Sequence, residues 1–342
     1  MNTNDFDIDQ KIQRIGNLSI GGNQIVLIQS MVVNSAMETD RVVEEIVRLY
    51  QSGCPLIRLA IPSQKEARNL KTIKEELSAK GFQIPLVADI HFTPKAAEIA
   101  ADYVEKIRIN PGNFADKKRF ESIEYTAEDF QKEQIRIEKE LLPFIQKCKE
   151  KNRAVRIGVN HGSLSDRILS YYGDTVEGMV ASAIEYVEIF EKQAFYNISI
   201  SLKSSNPKIM IEANRQFHDW QMNRKVTYPL HLGVTEAGEG EGGRIKSALG
   251  IGTLLSQGIG DTIRVSLTED PENEVPVAKY LVDNFSRSDY IKLDSIHRKS
   301  KLKPQVLFDK RNYSSLFNKD DLKLFDLIID EHSELFELES AD

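Results

Sequence analysis

The sequence predicts an α/β fold: a (β/α)8 TIM barrel with a hairpin before it and a polar, acidic tail after it. Three observations carry that prediction. Eight short apolar runs alternate with longer stretches of helical periodicity, the pattern of a parallel sheet whose crossovers are helices. The repeating units fill about 260 residues, the usual size of such a barrel. The first run is followed by "QSMVVNSAMETD", which has no glycine. An open doubly wound sheet would carry a G-x-G-x-x-G turn there.

In chain order, "KIQRIGNLSIGGNQ" (11–24) reads as a small hairpin plugging the barrel floor. The candidate strands are "QIVLIQS" (24–30), "PLIRLA" (55–60), "PLVADI" (85–90), "EKIRIN" (105–110), "AVRIGVN" (154–160), "NISISLK" (197–203), "PLHLGV" (229–234) and "TIRVS" (262–266). Each is short, β-branched or aliphatic, and bounded by turn residues. Between them, helical periodicity marks 39–53, 63–81, 94–104, 131–151, 175–193, 206–221 and 243–258, and an eighth helix follows at 271–285. The fourth unit has a long connection, "NPGNFADKKRFESIEYTAEDFQ" (110–131). "GEGEGG" (238–243) reads as a flexible lid before a helix, because Glu239 and Glu241 would repel a phosphate. Regular alternation stops near Ser286. Residues 1–285 are therefore expected to form the barrel, and 286–342 a tail or the start of a further domain.

Composition narrows the function. A net charge of -7 argues against generic nucleic-acid binding. The N-terminus "MNTNDFDIDQ" is acidic and unlike a targeting signal, and no apolar run has membrane-spanning length, so a cytoplasmic location is expected. Two cysteines, Cys54 and Cys148, are too few for a disulfide framework and read as buried, reduced thiols. No H-E-x-x-H pair points to zinc, and no metal ligands are assigned in this chain.

The strand ends carry the chemistry. "DTIRVSL" (261–267) reads as a buried strand, yet Arg264 sits in its middle. A buried cation requires something to meet its charge. Alternation explains it, because every second residue of a barrel strand points inward. Arg264 and Ser266 share a face, as do Arg108 with Asn110, Arg156 with Asn160, and Asp89 with His91. Arg58, Lys203 and His231 end three further strands, and Glu236 lies just past one of them. Five cations from five strands thus converge on one mouth. The counter-ion they fit is a ligand with many oxygens, a diphosphate above all, since the arginine fork binds two oxygens at once. The plainer alternative is a set of structural ion pairs with Asp89, Glu236 and other carboxylates.

The motifs "GNLSIGG…QSM", "LVADIHF", "IRINPGN", "RIGVNHGSL", "LHLGVTEAG" and "GIGDTIRVSL" closely resemble the 4-hydroxy-3-methylbut-2-enyl diphosphate synthase family, also called GcpE or IspG. The resemblance runs from about Lys11 to Asp283, and the extended connection around "FESIEYTAEDF" looks like the longer, insert-bearing form of the family. It implies an oxidoreductase of isoprenoid biosynthesis whose barrel binds 2-C-methyl-D-erythritol 2,4-cyclodiphosphate. It implies diphosphate contacts from Arg58, Arg108, Arg156, Lys203, Arg264 and Ser266. Asp89, His91, Asn110 and Asn160 would orient substrate and arginines, His231 would join the binding set, and Glu236 would be the catalytic carboxylate. It also implies a [4Fe-4S] cluster in a separate C-terminal domain, with ferredoxin or flavodoxin as electron donor. A homodimer is compatible with it. The family's three cluster cysteines have no counterpart in this chain. The first loop, Val32 to Asp40, carries Val32, Val33 and Ser35 where the family has polar and acidic residues. The expected reading is the N-terminal part of a longer enzyme. The runner-up is a non-redox diphosphate- or pterin-binding barrel like dihydropteroate synthase.

Overall fold

The computed structural model describes residues 8–116 and 126–286 and, further on, only three short strands. In the first segment β1 (Asp9–Gln10), β2 (Gln13–Ile15) and β3 (Leu18–Ile20) precede the barrel. Then come β4 (Leu27–Met31), α1 (Thr39–Gln51), β5 (Leu56–Ala60), α2 (Gln64–Ala79), β6 (Leu86–Ile90), α3 (Pro94–Ala100) and β7 (Lys106–Ile109). The second segment holds α4 (Ala127–Glu150), β8 (Ala154–Asn160), α5 (Asp166–Tyr172), α6 (Val176–Lys192), β9 (Ile198–Lys203), α7 (Pro207–Arg224) and β10 (Val226–Thr227). It ends with β11 (His231–Leu232), α8 (Gly240–Ser247), α9 (Thr253–Leu255), β12 (Thr262–Ile263) and α10 (Pro271–Phe285).

Eight parallel strands pair in the order β11-β12-β4-β5-β6-β7-β8-β9. A parallel bridge between Ile200 and Leu230 joins the two ends of that order and closes the barrel. The fold is the predicted (β/α)8 barrel. Helix starts follow local chemistry. Ser63, Ser165 and Thr175 each accept a hydrogen bond from a first-turn backbone N–H. Pro94, Pro207 and Pro271 stand at first-turn positions, where no N–H is needed. A large apolar core fills the space between sheet and helices, from Val42 and Leu70 round to Phe217 and Leu281.

The interior of the barrel is different. Only its floor is apolar, a small cluster of Ile15, Ile20, Leu27, Leu56, Val87 and Ala154. Ile15 and Ile20 come from the antiparallel β2–β3 hairpin, so the hairpin does plug the floor. Gln13 of that hairpin reaches further in. Its Nε2 donates to the carbonyls of Val155 (2.8 Å) and Asn197 (3.0 Å), and its Oε1 accepts from Lys106 Nζ at 2.6 Å. Above this floor the inward positions are almost all polar, and they belong to the site.

Three elements differ from the sequence reading. α5 is an additional helix after β8, hidden because its seven residues are too few to show a period. The seventh helix is interrupted by a π turn at Ala248–Gly252. There Gly250 lies so close to Val234 and Met210 that a Cβ would meet each within 2.7 Å. The supposed lid at 238–243 is mostly helix, because α8 begins at Gly240. It is also tethered: Gly240 N donates to Glu269 Oε1 (2.9 Å), and Thr268 N donates to the Gly238 carbonyl (3.0 Å). Residues 117–125 of the long fourth connection and most of the 286–342 tail lie outside the described residues. Within the tail, Val306–Leu307 pairs parallel with Leu327–Ile329, which pairs antiparallel with Leu335–Glu337. No helix of the described residues is long and apolar enough to cross a membrane.

Candidate anion-binding site at the barrel mouth

A cavity of about 240 Å³ opens at the C-terminal ends of the strands. Nine of the predicted residues line it: Arg58, Asp89, His91, Arg108, Arg156, Asn160, Lys203, Arg264 and Ser266. Strand register brings them together. Arg58 stands on β5, Asp89 pairs with Arg108 across β6 and β7, Arg108 with Arg156 across β7 and β8, and Asn160 with Lys203 across β8 and β9. Met31, Ser201, Val234 and Thr235 complete the wall.

Two carboxylates meet three of the cations. Asp89 pairs with Arg108 at 2.9 Å and with Arg58 at 3.4 Å. Burial alone would push the Asp89 carboxyl up, but Arg108 and Arg58 together hold it well below the usual range. The second carboxylate comes from a helix. Glu274 of α10 is buried, pairs with Arg264 at 3.3 Å, and accepts from Ser30 Oγ (2.9 Å) and the Leu267 N–H (3.1 Å). Glu274 is therefore the partner of the puzzling strand arginine, and sequence alternation missed it because it does not lie on a strand.

Arg156 and Lys203 have no carboxylate within 4 Å among the described residues. Arg156 donates to Gln29 Oε1 at 3.1 Å, while its buried Nε has no hydrogen-bond partner. Lys203 Nζ meets only the neutral ring nitrogen of His231, at 3.0 Å, among the bonds described. The crowding shows in the electrostatics. Burial, reinforced by the other arginines, pushes the Arg156 guanidinium and the Lys203 ammonium well below their usual ranges. Burial lowers Arg58 to about 10 despite the pull of Asp89. Cations packed this closely are electrostatically costly, and an anion among them would offset that cost.

Space for the cations is cut by two inward glycines. A Cβ on Gly158 would lie 2.3 Å from Arg108 Nε, and one on Gly233 would lie 2.8 Å from Lys203 Nζ. Arg108 NH2 also donates to the Gly158 carbonyl at 2.9 Å. Neither glycine has a positive φ, so their role is room rather than backbone freedom.

Three predicted residues stand elsewhere. His231 is fully buried one layer beneath Lys203 and does not face the cavity. Asn110 is buried on the loop after β7, where its Oδ1 accepts from Gly112 N at 3.2 Å and its Nδ2 has no partner. Glu236 is exposed at the rim with φ +50, outside the cavity wall. The reason is parity: inward positions run His231, Gly233, Thr235, which turns Thr235 into the mouth and Glu236 away from it. The first loop is pinned from α1. Buried Glu45 accepts from Val33 N (2.8 Å), Asn34 N (3.2 Å) and Asn34 Nδ2 (2.7 Å). The loop after β7 is pinned by Arg167, which bridges Asp116 (3.0 Å) and Glu185 (2.6 Å).

The family described as the GcpE TIM-barrel domain matches residues 10–279. The 4-hydroxy-3-methylbut-2-en-1-yl diphosphate synthase (flavodoxin) of Leptospira interrogans is 52% identical over 274 residues, covering 80% of this chain and 41% of that protein. The chloroplastic, ferredoxin-type synthase of Oryza sativa is 50% identical over 270 residues, covering 79% of this chain and 36% of that protein. The chain thus spans less than half the length of these curated relatives. A dihydropteroate synthase structure from Xanthomonas albilineans superposes with a TM-score of 0.50 at 12% identity, covering 79% of this chain and 97% of that one. At that identity the likeness concerns the fold alone.

Proposed function

The chain belongs to the GcpE TIM-barrel family, and on that premise we propose that its mouth binds 2-C-methyl-D-erythritol 2,4-cyclodiphosphate. In the whole protein this substrate is reductively opened to 4-hydroxy-3-methylbut-2-enyl diphosphate, an oxidoreductase step of isoprenoid biosynthesis. One observation carries the reading: Arg156 and Lys203 face a small cavity beside three more cations, with no carboxylate of their own among the described residues. A cyclic diphosphate supplies the missing negative charge and many acceptors at once. Arg58, Arg108 and Arg264, already oriented by Asp89 and Glu274, offer their remaining donors to it. Ser266 would add a donor to the diphosphate, and Ser201, Thr235 and Asn160, which line the same cavity, would meet the polyol hydroxyls.

A [4Fe-4S] cluster is implied by the family, and this chain's residues do not fit one. Such a cluster needs several thiolates within one small site. Cys54 and Cys148 are the two cysteines of the sequence, and both are fully buried. Cys54 lies at the floor end of β5, donates to the Leu56 carbonyl at 3.3 Å, and is pushed up to about 12 by burial. Burial raises Cys148 on α4 as well. Among the described residues no group of three or more metal-ligating side chains comes together. Binding and orientation are the work assigned to this chain. Electron delivery, from ferredoxin or flavodoxin, belongs to the whole protein. Glu236 is proposed as a proton donor acting from the rim, so Glu236→Gln in the whole enzyme should cut turnover more than binding.

A phosphorus NMR titration tests the reading. Both phosphorus signals of the cyclodiphosphate should shift saturably with added chain at low salt. Unchanged signals in the presence of folded chain would reject it.

A further inference from the structure

We infer that Thr262 is a positioning residue for anion binding: through His231 it fixes the one tautomer that seats Lys203 in the cavity. The inference rests on the anion-binding reading of the mouth and goes one layer beneath it.

Thr262 and His231 are paired neighbours on β12 and β11, and both are fully buried. His231 Nδ1 lies 3.1 Å from Thr262 Oγ1, and Nε2 lies 3.0 Å from Lys203 Nζ. The three groups form a file from the barrel interior up to the mouth. In its charged form, the one that holds an anion, Lys203 Nζ only donates, so Nε2 must offer a lone pair. Nδ1 then carries the hydrogen, and a buried N–H needs an acceptor. The Thr262 hydroxyl is that acceptor. With the opposite tautomer, Nε2–H would face the ammonium, donor against donor.

The doubly protonated ring is excluded by its surroundings. His231 is faced by Lys203 of β9, Arg156 of β8, Lys106 of β7 and Arg58 of β5. Burial and these cations hold its pKa well below the usual histidine range. Among the described residues no carboxylate pairs with His231: Asp89 is engaged by Arg108 and Arg58, Glu274 by Arg264, and Asp261 accepts from the Leu230 N–H at 2.7 Å. Lys203 is itself crowded by Arg156, Arg58, Arg264 and Arg108. Its seat is the imidazole lone pair below and the gap left by Gly233 at its side. Without that lone pair, repulsion from the four arginines drives the flexible lysine tip out of register with the anion.

Thr262→Val keeps the branched shape and removes the acceptor, whereas Thr262→Ser keeps the hydroxyl. Two measurements on the folded chain test the inference. Nitrogen-15 NMR of labelled histidine rings, with His231 assigned by the loss of its signals in His231→Gln, reports the tautomer. Titration with inorganic pyrophosphate reports the seat. The unsubstituted chain and Thr262→Ser should show a neutral, Nδ1-protonated His231 from pH 6 to pH 8 and should bind within twofold of each other. Thr262→Val should lose that signature and bind roughly tenfold more weakly. An Nε2-protonated ring in the unsubstituted chain, or a Thr262→Val chain that binds normally, would overturn the inference. If the unsubstituted chain binds no pyrophosphate, the reading of the mouth fails instead, and the ring signals still decide the tautomer.

Discussion

Replacing Gly158 with alanine should empty the site of much of its affinity without adding or removing a charge. The new Cβ would sit 2.3 Å from Arg108 Nε and 3.1 Å from Cζ and NH2. Carbon–nitrogen contacts settle near 3.4 Å, so the guanidinium must retreat by roughly 1 Å. Arg108 has no slack to do so. Its NH1 is 2.9 Å from Asp89 Oδ1 and also meets His91, and its NH2 is 2.9 Å from the Gly158 carbonyl. A shift of that size stretches these bonds beyond hydrogen-bonding range. It also moves the cation that stands between Asp89 and the anion. Losing a buried charge-assisted contact costs about 2–3 kcal/mol, which is about 30- to 150-fold in Kd. Crowding the interior should also lower stability by about 1–3 kcal/mol. Isothermal calorimetry with the cyclodiphosphate, beside urea unfolding, reads both. Gly252→Ala is the control, because its Cβ meets nothing closer than 3.5 Å and should leave binding unchanged. A folded Gly158→Ala chain that binds within twofold of the original would refute the reasoning.

Four further outcomes follow. Arg264→Met should weaken cyclodiphosphate binding by roughly 2–5 kcal/mol and also destabilise the chain, because buried Glu274 loses its partner. Arg156→Met should weaken binding as much yet raise the urea midpoint, since no carboxylate is orphaned and crowding is relieved. Burial pushes Asp261 up to about 6. In the unfolded chain it titrates near ~3.9, so the folded state binds more protons between those values and loses stability as pH rises through them, by roughly 3 kcal/mol in all. Asp261→Asn should abolish that fall between pH 4.5 and pH 7 in urea unfolding, and an unchanged fall would reject the assignment. Residues 1–342, supplied with iron, sulfide, substrate and a strong reductant, should assemble no [4Fe-4S] cluster and form no product. Product formation would show that electrons enter by a route these residues do not reveal.

The barrel was legible because eight short apolar runs alternate with stretches of helical periodicity over a barrel's length. The cation ring was legible because alternation fixes which strand residues point inward, and nine of the predicted residues do line one cavity. What escaped lay off the strands or past their ends. Glu274 reaches Arg264 from α10, a long-range contact that no local pattern announces. Glu236, expected just past its strand, stands exposed at the rim, because β11 stops at Leu232 and the chain turns through a positive φ at Glu236. Thr235 held the inward position instead. Gly158 and Gly233 sat in plain view within "RIGVN" and "HLGV", yet their meaning depends on the volume of arginine and lysine tips that only the packed barrel defines. His231 had the right parity but stands a layer too deep to touch a ligand.

The central claim is that five cations, two of them without a carboxylate among the described residues, form a site for the cyclodiphosphate. Calorimetric titration of residues 1–342 with that compound, at low and at near-physiological ionic strength, tests it most directly. The account predicts one site per chain, with affinity that falls as salt rises, because a partly open mouth is screened. No heat of binding at low ionic strength from a chain that is demonstrably folded, or binding that persists unchanged in Arg156→Met, would contradict it.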